Sequence, residues 1–110
     1  MIDLVTYSQK MIEYCDQLKN MTEEDHEKAV PIMEKCIWMN YDILKGMDTI
    51  DAEELKDTLT EFRDDTISMI DNIIECYQAL NRPIQVHNFE LLKREIDSLI
   101  RVNKPIRVVV

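Results

Sequence analysis

Apolar residues return every three or four positions along almost the whole chain, and this rhythm is the first signal of its architecture. Leu4, Tyr7, Met11, Tyr14, Leu18 and Met21 alternate spacings of three and four, the seam of a helix packed in a bundle. Val5, Ile12 and Cys15 widen that stripe on one side. The pattern predicts helix 1 over about residues 2–20, with a break near Asn20 and Met21.

Thr22 is then placed as an N-cap, and Glu23, Glu24 and Asp25 form the acidic first turn that a helix dipole favours. Pro31 leaves two readings of helix 2, because an interior proline costs about 3 kcal/mol whereas one in the first turn is tolerated. Either one kinked helix runs over 23–45, or a short turn at 23–29 precedes a helix starting at Pro31. Gly46, the only glycine, stands where a left-handed residue would close that helix. Asp51-Ala-Glu-Glu54 has the form of a capping box. Leu55, Leu59, Phe62, Thr66, Met69, Ile70, Ile73, Cys76, Tyr77 and Leu80 then keep helical spacing without a Pro or Gly, giving a third helix over about 52–80. Asn81-Arg82-Pro83 stops it. A fourth helix, carrying Phe89, Leu92, Ile96, Leu99 and Ile100, starts near 84–88 and ends before Lys104-Pro105. The β-branched stretch Ile106–Val110 reads as an extended tail. The expectation is an all-α, antiparallel four-helix bundle in one domain over residues 1–110.

Composition narrows the function. The chain of 110 residues is 45% hydrophobic and carries a net charge of −9. The charge is uneven: −4 over residues 1–47, −8 over 48–81 and +3 over 82–110. Such a surface repels nucleic acid and anionic lipid outside the basic C-terminal segment. No basic stretch leads into an apolar run at the N-terminus, and no apolar run approaches the ~18–20 residues a membrane helix needs, so neither a secretion signal nor a membrane span is expected. Cys15, Cys36 and Cys76 are odd in number, far apart and on apolar faces, which argues against a disulfide framework or structural zinc and for inert thiols in a reducing cytoplasm. No cofactor-binding motif occurs.

Two surface features stand out on helical projection. Glu53, Glu54, Asp57, Glu61, Asp64, Asp65, Asp71 and Glu75 fall within roughly 120° of helix 3. This stripe is either a solvated face or a docking strip for a basic partner, with Asp57, Glu61, Asp64 and Asp65 at its centre. On helix 2, Trp38 lies among Glu34, Lys35, Asp42 and Lys45, with Tyr41 at the edge of the apolar sector. A lone Trp there either covers a neighbouring helix or marks a binding hot spot. Met33, Met39 and Met47 at helical spacing read as core.

Three spacings have catalytic counterparts. Glu24-x-x-Glu27 with Glu61-x-x-Asp64 resembles the carboxylate pairs with which all-α NTP pyrophosphatases hold Mg²⁺. Glu23-x-x-His26 is half of a bundle di-iron site, which needs a second such motif. Arg82-x4-His87 has the spacing of the HEPN ribonuclease motif, although Pro83 follows the Arg. With 22 acids in the chain such spacings arise by chance. The sequence favours a non-enzymatic protein–protein interaction module that binds a basic partner through the acidic stripe, Trp38 and Tyr41. The alternatives are a metal-dependent hydrolase and a structural homo-oligomer. Apolar arcs of roughly 180–200° on helices 2 and 3 also favour a dimer.

Like charges at i,i+4 oppose helix formation by about 0.2–0.5 kcal/mol per pair. Replacing Asp57, Glu61, Asp64 and Asp65 by their amides should therefore leave the circular dichroism unchanged and the urea midpoint equal or higher. A lower midpoint would show that the stripe stabilises the fold.

Overall fold

Pairs of side chains that meet across the molecule define the topology. In the computed structural model, which describes residues 3–22, 24–48 and 53–100, Tyr7 reaches Asn40 and the Lys35 ammonium lies over the Tyr14 ring, so α1 (Leu4–Lys19) runs against α2 (His26–Met47). Asn40 meets Thr66 while Glu34 meets Tyr77, so α3 (Lys56–Ala79) runs against α2. Tyr77 stacks on Phe89 and Asp71 pairs with Lys93, so α4 (Pro83–Asp97) runs against α3. The result is an all-α bundle of four helices with no strand among the described residues, as the periodicity predicts.

The core lies between α2, α3 and α4, where Ile37, Leu44, Ile70, Ile73 and Ile96 are removed from water. α1 is different: none of its residues is buried, and Leu4, Val5, Ile12 and Cys15 are exposed. It packs on α2 and meets α3 through Tyr7, edge-on to Phe62 at 6.1 Å. One neighbour covers one stripe, so Tyr7, Met11, Tyr14 and Leu18 are half-buried and the widened side of the seam is left in water. The expectation that Leu4 packs and that Cys15 lies on a covered face is corrected accordingly.

Inside the core runs a polar chain. Asn40, 2% exposed, accepts the Tyr7 hydroxyl at 2.7 Å and donates to Thr66 Oγ1 at 3.0 Å. Thr66, 0% exposed, donates in turn to the Phe62 carbonyl at 2.8 Å. No buried side-chain polar atom among the described residues is left without a partner, as burial demands.

The helix ends correct several local expectations. Asp3 caps α1 by accepting the Thr6 N–H and hydroxyl. Thr22 is not the cap of α2; it forms a turn with Asp25, whose carboxylate accepts the Thr22 N–H at 3.2 Å, and the helix starts at His26. Helix 2 is continuous through Pro31, whose ring lies on the exposed side near the helix start. Gly46 does not close it: the helix runs on to Met47, with no left-handed glycine. A 3₁₀ turn, Glu53–Leu55, leads into α3, and Leu55 is exposed rather than packed. The Asp51 cap and the extended tail fall outside the described residues. Asn81 fulfils its role as a stop: at φ 59° it sits left-handed, the Arg82 N–H bonds the Tyr77 carbonyl and the Asn81 N–H bonds the Gln78 carbonyl, a Schellman closure with Pro83 opening the next helix. α4 ends earlier than its pattern, at Asp97, and the chain then turns so that Leu99 and Ile100 are buried. Arg63, itself buried, donates to the Leu99 carbonyl at 3.1 Å, and Asp48 accepts the Ile100 N–H at 2.7 Å. These two bonds hold Ile100 at φ 56°, a conformation that costs a β-branched residue on the order of 1–3 kcal/mol.

Asn40→Ala should remove about 2–4 kcal/mol of unfolding free energy, because it opens a cavity and strands the Tyr7 hydroxyl. Urea denaturation checks this, and a loss under ~1 kcal/mol would mean the polar chain contributes little.

Candidate functional site

The face of α2 that points away from α3 carries Pro31, Lys35, Trp38 and Asp42, all exposed. Rotation is set from inside: with Asn40 and Ile37 directed into the core, Trp38 is turned roughly 100° from Ile37 and leaves the protein. It is 47% exposed and stands edge-on to the Tyr41 ring, 5.4 Å between centroids at 90°. Tyr41 donates to Glu95 on α4, and Lys45 both pairs with Glu95 at 3.5 Å and lies 5.9 Å over the Tyr41 ring. Tyr41 is therefore pinned from two sides and forms a firm wall for the indole.

A groove of about 460 Å³ opens beside Trp38, lined by Tyr14, Glu34, Lys35, Met39 and Asp42. α1 supplies one bank through Tyr14, whose ring receives the Lys35 ammonium at 5.8 Å. Glu34 accepts the Tyr77 hydroxyl at 2.6 Å. Asp42 has no ion-pair partner among the described residues.

On the other side of Trp38 lies α4. Arg82 pairs with Glu27 and Tyr41 with Glu95, so α2 and α4 run parallel with an offset near 54 residues. Leu91 is 46% exposed and Ile84, two turns earlier, 73%. Besides Trp38, α4 thus leaves apolar surface in water at Leu91 and Ile84. The stripe Phe89–Leu92–Ile96 hid the last two; the signal that could have found them is the i,i+7 pair itself, off the core face.

The remaining candidates lie elsewhere. Asp57, Glu61, Asp64 and Asp65 are exposed on the face of α3 opposite the core, on a different helix from Trp38 and Tyr41. Asp64 is bonded by its neighbour Arg63 at 3.2 Å, and Asp71 farther along pairs with Lys93 at 2.7 Å. Asp57, Glu61 and Asp65 form no ion pair among the described residues. The structure thus joins Trp38 to Tyr41 and keeps the acidic stripe separate.

The carboxylate pairs do not face each other. Glu27 sits by Arg82 at the turn between α3 and α4, whereas Glu61 lies eighteen residues before the end of α3, roughly 27 Å away along its axis. Among the described residues no three Asp, Glu, His or Cys side chains are placed to hold a metal ion. Arg82 and His87 share a shallow cleft of about 250 Å³ with Glu90, but Arg82 is the residue before α4 and its guanidinium is engaged by Glu27. Glu23 lies outside the described residues. No described helix is long and apolar enough to cross a membrane.

No family of proteins, curated protein or solved structure matches this chain.

Burial raises the Tyr7 hydroxyl to about 12, and the hydrogen bond to Glu95, with desolvation and the Glu95 charge behind it, raises Tyr41 to about 12. Burial and the Glu34 hydrogen bond raise Tyr77 as well. The fold favours the neutral phenols, so their stabilisation is complete below the ordinary tyrosine value of 10.0 and is lost as pH rises through about 12. Urea midpoints should fall over that window, and Tyr41→Phe should reduce the slope. An unchanged slope would mean that the Tyr41–Glu95 bond adds nothing to stability.

Proposed function

We propose that this chain is a non-enzymatic module that binds and holds another protein, as inhibitors, immunity proteins, chaperones and adaptors do. The observation that carries this reading is Trp38: the sole tryptophan, half exposed, braced by Tyr41 and bordered by a groove. A rigid aromatic ringed by polar groups is the usual form of a binding hot spot, and folding alone gives no reason to leave it in water. The acidic stripe of α3 supplies a second element. Asp57, Glu61 and Asp65 raise the local negative potential and steer a partner with a basic surface. Three thiols on three helices suit a reducing cytoplasm.

A second reading, a homodimer, is favoured by the exposed Leu4, Val5 and Ile12 on α1. Sedimentation over a range of concentrations separates the two.

The test is capture of a partner from the native host, followed by calorimetry on the identified pair. Trp38→Ala should weaken binding by at least ~2 kcal/mol while lowering stability by under ~1 kcal/mol. The amide variant of the four acids should slow association and flatten its salt dependence. A Trp38→Ala protein that binds normally but unfolds early would return Trp38 to a structural role.

A further inference from the structure

We infer that the Trp38 groove receives an arginine side chain of the partner, its guanidinium laid on the indole between Glu34 and Asp42. This rests on the protein-binding reading above and gives it a chemistry. The two carboxylates stand one turn to either side of Trp38, at i−4 and i+4, so both line the groove that the indole borders. The two lysines nearest Trp38 are each held on a tyrosine, and one of them, Lys35, also lines the groove. Lys35 lies over the Tyr14 ring, and Lys45 lies over the Tyr41 ring while pairing with Glu95. Neither Glu34 nor Asp42 has an ion-pair partner among the described residues, and Glu34 uses one oxygen for the Tyr77 hydroxyl. Two carboxylates against the single lysine in the lining leave the groove with a net charge of −1.

An arginine fits this surface better than a lysine. Its planar guanidinium stacks on an aromatic face and donates in two directions at once, whereas an ammonium is a compact, strongly hydrated point charge. Met39 lines the groove where the methylene stem would lie. The occupant is thus a basic, amphipathic segment of another protein, in keeping with a chain of net charge −9.

Because Trp38 is the only tryptophan, its emission reports directly on the site. The probes are two tryptophan-free helical peptides, identical except that one carries a central arginine flanked by leucines and the other citrulline, which keeps the shape without the charge. The arginine peptide should change Trp38 emission saturably and bind at least ~10-fold more tightly than the citrulline peptide. In the Glu34→Gln, Asp42→Asn double variant that ratio should fall below ~3-fold with circular dichroism unchanged, since the side-chain amide oxygen introduced at position 34 still accepts the Tyr77 hydroxyl. Equal binding of the two peptides, a ratio that survives in the double variant, or no response to either peptide overturns the inference. Equal binding that Trp38→Ala abolishes, read by calorimetry because that variant has no tryptophan, removes the arginine alone and leaves the protein-binding surface standing.

Discussion

Asn40 is the residue on which the bundle turns. Its amide is buried where three helices meet, accepting the Tyr7 hydroxyl from α1 and donating a hydrogen bond to Thr66 on α3. A buried amide left without partners costs roughly 1–3 kcal/mol, so any slide or rotation of α2 against its neighbours is opposed by more than lost apolar contact. Leucine and isoleucine contacts tolerate shifts of register; this chain of hydrogen bonds does not. Thr66 accepts this role in mid-helix because its hydroxyl can return to the Phe62 carbonyl one turn back.

The outer surface follows from that inner constraint. With Asn40 fixed inward, α1 takes the flank of α2 beside Tyr14, α4 takes the opposite flank beside Tyr41, and the strip between them faces water. Trp38 falls on this strip. The far end of the bundle is tied separately, by Arg63 on the Leu99 carbonyl and Asp48 on the Ile100 N–H, so α4 cannot drift from α3 and α2. The surface around Trp38 is therefore carried by rigid helices, which lowers the ordering cost of binding there.

Much of this was legible in the sequence, and the reasons it was not wholly so are physical. Uninterrupted spacing from Leu59 to Leu80 reports α3 because a helix buried along one side must repeat its apolar residues. Asn81-Arg82-Pro83 reports a stop because asparagine tolerates the left-handed turn and proline opens the next helix. Gly46 misled because glycine permits a left-handed residue without requiring one, and Leu44 packs deeply enough to carry the helix past it. Leu4, Val5 and Ile12 misled because a periodic stripe says which residues share a face and not whether a neighbour covers it. Trp38 was legible from its charged surroundings on projection. The exposure of Leu91 and Ile84 was not, since it depends on which flank of α4 its neighbours cover, which no local pattern encodes. Asn40 was hidden for a related reason: a polar residue inside an apolar arc becomes intelligible only once Tyr7 and Thr66 are seen beside it.

The register fixed by Asn40 turns Trp38 outward in the free protein, and acrylamide quenching of the single tryptophan tests this most directly. Collisional quenching should be efficient, approaching that of an indole in water, and should remain so as protein concentration rises. Weak quenching with a blue-shifted emission in the free monomer would place Trp38 inside and contradict the account.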